Sequence, residues 1–239
     1  MNTLDTLKVK IFADGADLED IRELYSNPII RGFTTNPTLM RKAGIEDYEV
    51  FGRELLSSIT DRPVSLEVFA DDCEEMVIQA KKIASWGGNV NIKIPICNTK
   101  GESTESVIKE LADNGVVVNV TAIMTVNQVA MVAKCLKKDV PAIVSVFAGR
   151  VADTGLDPVP HMIACAEVLN NLPKAELLWA SPREVLNIFQ ADASGCQIIT
   201  VASDLLRKLD LIGKNLDDYS LETVKMFRKD AVAADYKII

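Results

Sequence analysis

Histidine is almost missing from this sequence: His161 is the only one, in Asp157-Pro158-Val159-Pro160-His161, where it reads as an exposed residue at a helix start. With one histidine and no CxxC spacing, a His-ligated metal site and a Ser-His or Cys-His nucleophile system lack their parts, and no metal is expected. Proton transfer then falls to carboxylates, threonine, lysine or water. The five cysteines, Cys73, Cys97, Cys135, Cys165 and Cys196, are scattered and odd in number, which suits small core residues in a reducing compartment. No apolar run approaches the roughly 18 residues that cross a bilayer, and Met1 to Lys10 has no apolar signal core. A cytoplasmic protein with no membrane partner is the expectation. Asn119-Val120-Thr121 spells a glycosylation sequon, but it lies in an apolar strand of a chain without an export signal, so the match is read as accidental. The net charge of −8 argues against a general affinity for nucleic acid, although a few converging arginines could still hold a phosphate.

What is present is an ordinary folded composition, 48% hydrophobic and 25% charged over 239 residues, a length that single α/β barrels commonly have. Short β-branched runs alternate with amphipathic segments from one end to the other. The runs are residues 9–13, 29–33, 64–68, 90–94, 116–120, 142–146, 175–179 and 197–201. Helical spacing fills 18–25, 48–59, 73–86, 104–113, 126–137, 160–172, 183–191 and 203–209, with Asp17, Asp47, Asp71 or Asp72, Ser103, Thr125, Ser181 and Ser203 as candidate N-caps. No composition shift marks a linker, so residues 1–239 read as one domain. Strict β-α alternation predicts parallel strands with helical crossovers, closed as a (β/α)8 TIM barrel. A doubly wound open sheet competes, but no GxGxxG or GxxxxGK[ST] loop follows the first strand. An extra C-terminal helix is expected at about 221–234, with Leu221, Val224, Phe227, Val232 and the tail Tyr236-Lys237-Ile238-Ile239 as apolar contacts. It either lids the barrel's own helical ring or docks on a neighbouring subunit.

In a barrel the chemistry lies where strands end and βα loops begin. Lys93 sits in Asn91-Ile92-Lys93-Ile94-Pro95, a stretch that otherwise reads as a buried strand. Burial disfavours the charged form of a lysine, and a neutral amine is what attacks a carbonyl to make a Schiff base. A lysine snorkelling from a strand end is the plain alternative. Strand one ends in Asp14, strand two runs into Thr34-Thr35-Asn36-Pro37-Thr38, and strand three ends in Glu67. Strand five carries Asn119 and Thr121, strand six Ser145 and Arg150, and strand seven runs into Ala180-Ser181-Pro182-Arg183. If the strands close, Asp14, Glu67 and Lys93 converge on one cavity. Singly, Asp14 reads equally as a helix cap, Glu67 as a rim charge paired to Lys93, and Asn119 with Thr121 as an internal hydrogen-bonded pair. Arg150 and Arg183, with Ser181 and the amides that open the seventh helix, suit a phosphate, whereas either arginine alone suits solvent.

The set Phe12-Ala13-Asp14, Thr34-Thr35-Asn36-Pro37-Thr38, Lys93-Ile94-Pro95, Asn119-Val120-Thr121, Ser145-Val146-Phe147-Ala148-Gly149-Arg150 and Ala180-Ser181-Pro182-Arg183 resembles transaldolases. More narrowly it resembles the short branch that includes the fructose-6-phosphate aldolases, over residues 10–209. The resemblance implies a (β/α)8 barrel with no metal or organic cofactor and a Schiff base on Lys93. Asp14 would then be the acid/base for bond cleavage and formation, and Glu67 and Thr121 would hold the water that shuttles protons. Asn36, Asn119 and Ser145 would bind hydroxyls of a dihydroxyacetone unit, and Arg150, Ser181 and Arg183 the substrate's phosphate. It also implies a place in carbohydrate metabolism of the pentose phosphate kind, and a homo-oligomer, pentameric or decameric, built through the C-terminal helix.

Glu67 and Phe147 are of the transaldolase type, where the aldolases typically carry glutamine and tyrosine; Phe147 cannot donate the proton that releases a three-carbon enamine to water. Transfer is therefore expected over simple release, with an aldolase that releases dihydroxyacetone and a non-catalytic sugar-phosphate-binding barrel as the competing readings. Pro182, where transaldolases often have an aromatic, and the loop Cys97-Asn98-Thr99-Lys100-Gly101-Glu102 depart from the family pattern and leave the donor and acceptor open.

Overall fold

The computed structural model describes residues 4–238. Eight strands close a parallel barrel in sequence order: β1 (Lys10–Asp14), β2 (Ile30–Thr34), β3 (Val64–Glu67), β4 (Val90–Pro95), β5 (Val118–Ile123), β6 (Ala142–Val146), β7 (Ala175–Trp179) and β8 (Ile198–Ala202). Pairing of β1 with β8, from Lys10 opposite Ile198 to Asp14 opposite Ala202, makes the closure. Around it run α1 (Leu18–Tyr25), α2 (Pro37–Lys42), α3 (Tyr48–Ser58), α4 (Cys73–Ala84), α5 (Glu105–Asp113), α6 (Val126–Cys135), α7 (Ala148–Asp153), α8 (Pro158–Leu169), α9 (Leu186–Ala193), α10 (Ser203–Leu206) and α11 (Leu216–Ala233). Strands buried on both faces favour apolar side chains on both, which is why β6 and β8 are apolar except for Ser145 and Thr200.

The main core lies between barrel and helices, where Leu55, Leu66, Met76, Ile92, Ile94 and Ile108 are fully buried. A second cluster of Phe12, Ile143, Leu178, Ala180 and Ile198 fills the barrel interior. Phe12 fits there only because β2 carries Gly32 opposite it: a Cβ at that position would lie 2.5 Å from the ring. Helix starts follow local chemistry. Asp17, Asp47 and Asp72 accept amide hydrogens of the first turns of α1, α3 and α4, and Thr125 with Gln128 forms a capping box on α6.

Several sequence expectations need correction. Two short helices in βα loops, α2 and α7, escaped the periodicity because each spans fewer than two turns. Ser181 is not a cap: its φ is +61°, and α9 begins at Leu186 rather than 183. Ser203 is the first residue of α10 and its hydroxyl donates to Asp20, while Thr104 rather than Ser103 precedes α5. His161 lies inside α8, half-buried, with Nε2 enclosed and without a partner. The C-terminal helix starts at Leu216, where Asn215 caps it, and none of its residues is buried. Tyr236 and Ile238 of the tail are exposed, and Ile239 lies outside the described residues. No helix among the described residues is long and apolar enough to cross a membrane.

Candidate active site

A cavity of about 390 Å³ opens at the carboxyl ends of the strands, where barrels place their chemistry. Its wall takes Asp14 from β1, Thr34 from β2, Asn36 at the cap of α2, Lys93 from β4, and Asn119 and Thr121 from β5. Ser145, Phe147, Arg150, Ser181 and Thr200 also line it. Strand register brings the central groups side by side: Glu67 lies opposite Lys93 and Lys93 opposite Asn119, while Asp14 lies opposite Thr34.

Lys93 retains 11% of its side-chain surface and Glu67 6%, so the pair sits almost wholly out of water. Lys93 Nζ lies 2.9 Å from Glu67 Oε2, a close ion pair whose angles are not those of a hydrogen bond, and it donates to the backbone oxygen of Thr35. Burial pushes the Glu67 carboxyl up to about 7 against the pull of the Lys93 charge. Glu67 is thus a base that changes state near neutrality. Tyr48, reaching across from α3, donates its hydroxyl to the Glu67 backbone oxygen at 2.9 Å; burial and the Glu67 charge raise its own pKa, so it remains a neutral donor.

Asp14 is open to the cavity but packed by protein on its other sides, and that burial raises its carboxyl although Lys93, Thr34 and Asn36 all pull it down. Thr34 Oγ1 donates to Asp14 Oδ1 at 2.7 Å, and Asn36 Nδ2 to Oδ2 at 3.3 Å. Thr34 has one hydroxyl proton, so at its 2.5 Å contact with Thr200 the donor is Thr200. A directional chain, Thr200 to Thr34 to Asp14, holds the carboxylate. Asn36 is tied at its other end as well, its Oδ1 capping α2 through Leu39 N at 3.0 Å. The helix-cap reading belongs to Asn36 and Asp17, not to Asp14.

Asn119 is fixed by a second chain: Ser145 Oγ donates to its Oδ1 at 2.6 Å, and its Nδ2 donates to Ser65 Oγ at 3.1 Å. It does not pair with Thr121. Between Val120 and Ile123 the β5–β6 register slips, and Ala122 takes φ +61°, a bulge that interrupts the ladder where Thr121 meets the cavity. Ala122 and Ser181 are two of the three non-glycine residues with positive φ among the described residues, and both adjoin or line this cavity. Backbone strain concentrates where side chains are aimed at a site.

Gly149 explains how Ser181 is held. Its amide donates to Ala180 O at 3.2 Å, and a Cβ there would stand 1.5 Å from Ser181 O. The guanidinium of Arg150 lies 5.7 Å from the centre of the Phe147 ring. Arg183 is not brought into the wall. It turns outward to Asp153, Nε to Oδ1 at 3.1 Å with a second, short contact from Nη2 to Oδ2. The amides after Ser181 are not free for an anion either: those of Arg183 and Glu184 both donate to Asn187 Oδ1. Thr200, the Thr35 carbonyl and Tyr48 escaped the sequence reading. A lone threonine in Ile198-Ile199-Thr200-Val201 was a signal for the first; nothing local announces the other two.

Among the described residues, no group of three or more His, Cys, Asp and Glu side chains could hold a metal ion. Fold and site together define a (β/α)8-barrel enzyme whose ionisable groups gather at the strand ends around a buried lysine. Comparison with known proteins narrows this. The profile of the family described as Transaldolase/Fructose-6-phosphate aldolase matches residues 11–238. A probable transaldolase of Methanococcus maripaludis strain C5 is 34% identical over 205 residues, covering 84% of this chain and 89% of that one. A probable transaldolase of Thermoanaerobacter sp. strain X514 is 32% identical over 231 residues, covering 96% and 100%. Among solved structures, a cube-shaped protein cage designed by fusing symmetric oligomeric domains superposes with a TM-score of 0.58 at 14% identity over 95% of this chain and 78% of that one, a likeness of fold alone. The chain belongs to the transaldolase/fructose-6-phosphate aldolase family, and with it to the transaldolase-like enzymes.

Proposed function

We propose that the enzyme transfers a dihydroxyacetone unit from a ketose phosphate, such as fructose 6-phosphate or sedoheptulose 7-phosphate, to an aldehyde acceptor through a Schiff base on Lys93. The observation that carries this is the buried Lys93 amine, 2.9 Å from a carboxylate that titrates near neutrality and within reach of the charge of a second, Asp14. Glu67 takes the proton that leaves the lysine ammonium, and the free amine adds to the ketose C2. Through a water that Glu67 and Thr121 hold, Glu67 returns its proton to the carbinolamine hydroxyl, which leaves as water to give the iminium. Asp14 then removes the proton from the C4 hydroxyl, the C3–C4 bond breaks, and its electron pair passes into the iminium to leave an enamine on Lys93. An aldehyde acceptor reverses the last step, with Asp14 returning the proton. Asn36, Asn119 and Ser145 bind the hydroxyls of the three-carbon unit, held in place by the two hydrogen-bonded chains. Phe147, without an acidic proton, favours transfer over release. Arg150 and Ser181 face the phosphate, and Arg183 joins them by turning from Asp153.

Borohydride treatment with fructose 6-phosphate, followed by mass spectrometry, should trap a three-carbon adduct on Lys93. The adduct should vanish when erythrose 4-phosphate is present, with little free dihydroxyacetone formed. Undiminished turnover in Lys93→Ala would rule the route out. Release of dihydroxyacetone at the rate of donor consumption would favour the aldolase reading.

We further propose a homo-oligomer built through α11. On that helix Leu216, Val224 and Phe227, spaced i, i+8 and i+11, share a face and are all exposed. Light scattering of the full chain and of a chain ending at Lys214 tests this; equal subunit numbers would refute it. We place the enzyme in the cytoplasm, on the support of five cysteines that carry free thiols.

A further inference from the structure

Asp153 is the last residue of α7, one helical turn beyond Arg150, which lines the cavity. Its two oxygens face the Nε and Nη2 edge of Arg183. That edge is one with which an arginine forks a phosphate. The hydrogen bonds from Arg183, with the charges of Arg183 and then Arg150, hold the Asp153 carboxyl below its ordinary range, so the group is an anion throughout the neutral range. Both partners are about half-exposed, Arg183 at 49% and Asp153 at 52% of side-chain surface. The pair is therefore a surface ion pair, weak enough to be exchanged. Arg150 and Ser181 line the cavity and Arg183 does not.

We infer that Asp153 is a built-in competitor for the substrate's phosphate: it occupies Arg183 in the empty enzyme, and a phosphate gains that arginine only by displacing it. The inference rests on the proposed phosphate role of Arg150, Ser181 and Arg183. Its consequence is a moderated affinity. A phosphate remote from the reacting carbons binds ground state and transition state alike, so tighter binding there slows release without helping the chemistry.

The test is calorimetric titration with inorganic phosphate, which needs no turnover and is independent of the reaction assigned to the site. Asp153→Asn should tighten phosphate by about two- to fivefold, the range that giving up an exposed ion pair allows. Asp153→Ser should do the same. In an Arg183→Ala background the Asp153 substitution should have no effect, because the arginine it releases is gone. The KM for fructose 6-phosphate should fall by the same factor in Asp153→Asn, and the KM for unphosphorylated fructose should not move. Unchanged or weaker phosphate binding in Asp153→Asn would overturn the inference and make Asp153 a buttress of Arg183. Equal tightening with and without Arg183 would overturn it in favour of a general charge effect. If the unaltered enzyme binds no phosphate, both this inference and the phosphate role of the arginines fall, while adduct trapping on Lys93 still decides the Schiff-base route.

Discussion

Replacing Glu67 by glutamine keeps the shape of the side chain beside Lys93 and removes its titration. Burial pushes this carboxyl from 4.5 to about 7, so the folded protein holds the proton more tightly than the unfolded chain does. The stability contributed by that proton is fully present below about pH 4.5 and is lost as the pH rises through 7. The interval spans about 2.5 pH units at about 1.4 kcal/mol each, on the order of 3 kcal/mol in all. Urea unfolding of both proteins at pH 5 and pH 8 measures it. Protein concentration is matched because subunit association adds to apparent stability. Between the two pH values the unaltered protein should lose on the order of 2–3 kcal/mol relative to Glu67→Gln. Turnover supplies a second reading. Glu67 must be ionised to accept the lysine proton, so kcat/KM should rise with pH through about 7 in the unaltered enzyme, a limb that Glu67→Gln lacks. A stability difference that stays constant from pH 5 to pH 8, or runs the other way, would refute the reasoning.

Phe147→Tyr places a proton donor on the cavity wall and should raise the ratio of free dihydroxyacetone to transfer product several-fold, read by assaying both products from one donor. Thr34→Val removes the 2.7 Å donor to Asp14 and the acceptor of Thr200. Because that hydrogen bond lowers the Asp14 pKa, its loss should move the acid limb of kcat to higher pH and cut kcat by about tenfold or more, with KM changing less. An unchanged pH profile would count against the chain. Gly149→Ala drives a methyl group into Ser181 O, so thermal unfolding should show a loss of roughly 2 kcal/mol or more, and the KM for phosphorylated donors should rise more than that for unphosphorylated ones.

Much of the barrel was legible because short β-branched runs and capped amphipathic segments alternate strictly, and parallel strands buried on both faces leave a strong apolar signal. Observed strand bounds lie within two residues of those read from the sequence, apart from the end of β5, where the bulge at Ala122 extends pairing to Ile123. Lys93, Glu67 and Asp14 stood out only as a set: each alone has a structural explanation, but polar and ionisable groups at one strand end after another are hard to assign to packing. The short helices α2 and α7 were not legible, since one and a half turns carry no measurable period.

The sequence by itself determined the element order, the polar groups at the strand ends and the motif set that identifies the family, because each is written in local periodicity or residue identity. Tertiary structure alone decided which of those groups bond to one another. The register of β3, β4 and β5 set Glu67, Lys93 and Asn119 in a row. Closure of β1 on β8 brought Thr200 to Thr34 across 166 residues of chain. Arg183, two residues beyond the left-handed Ser181, bonds Asp153 rather than lining the cavity. Contacts of that kind depend on backbone direction and on groups distant in sequence, and no local pattern encodes them.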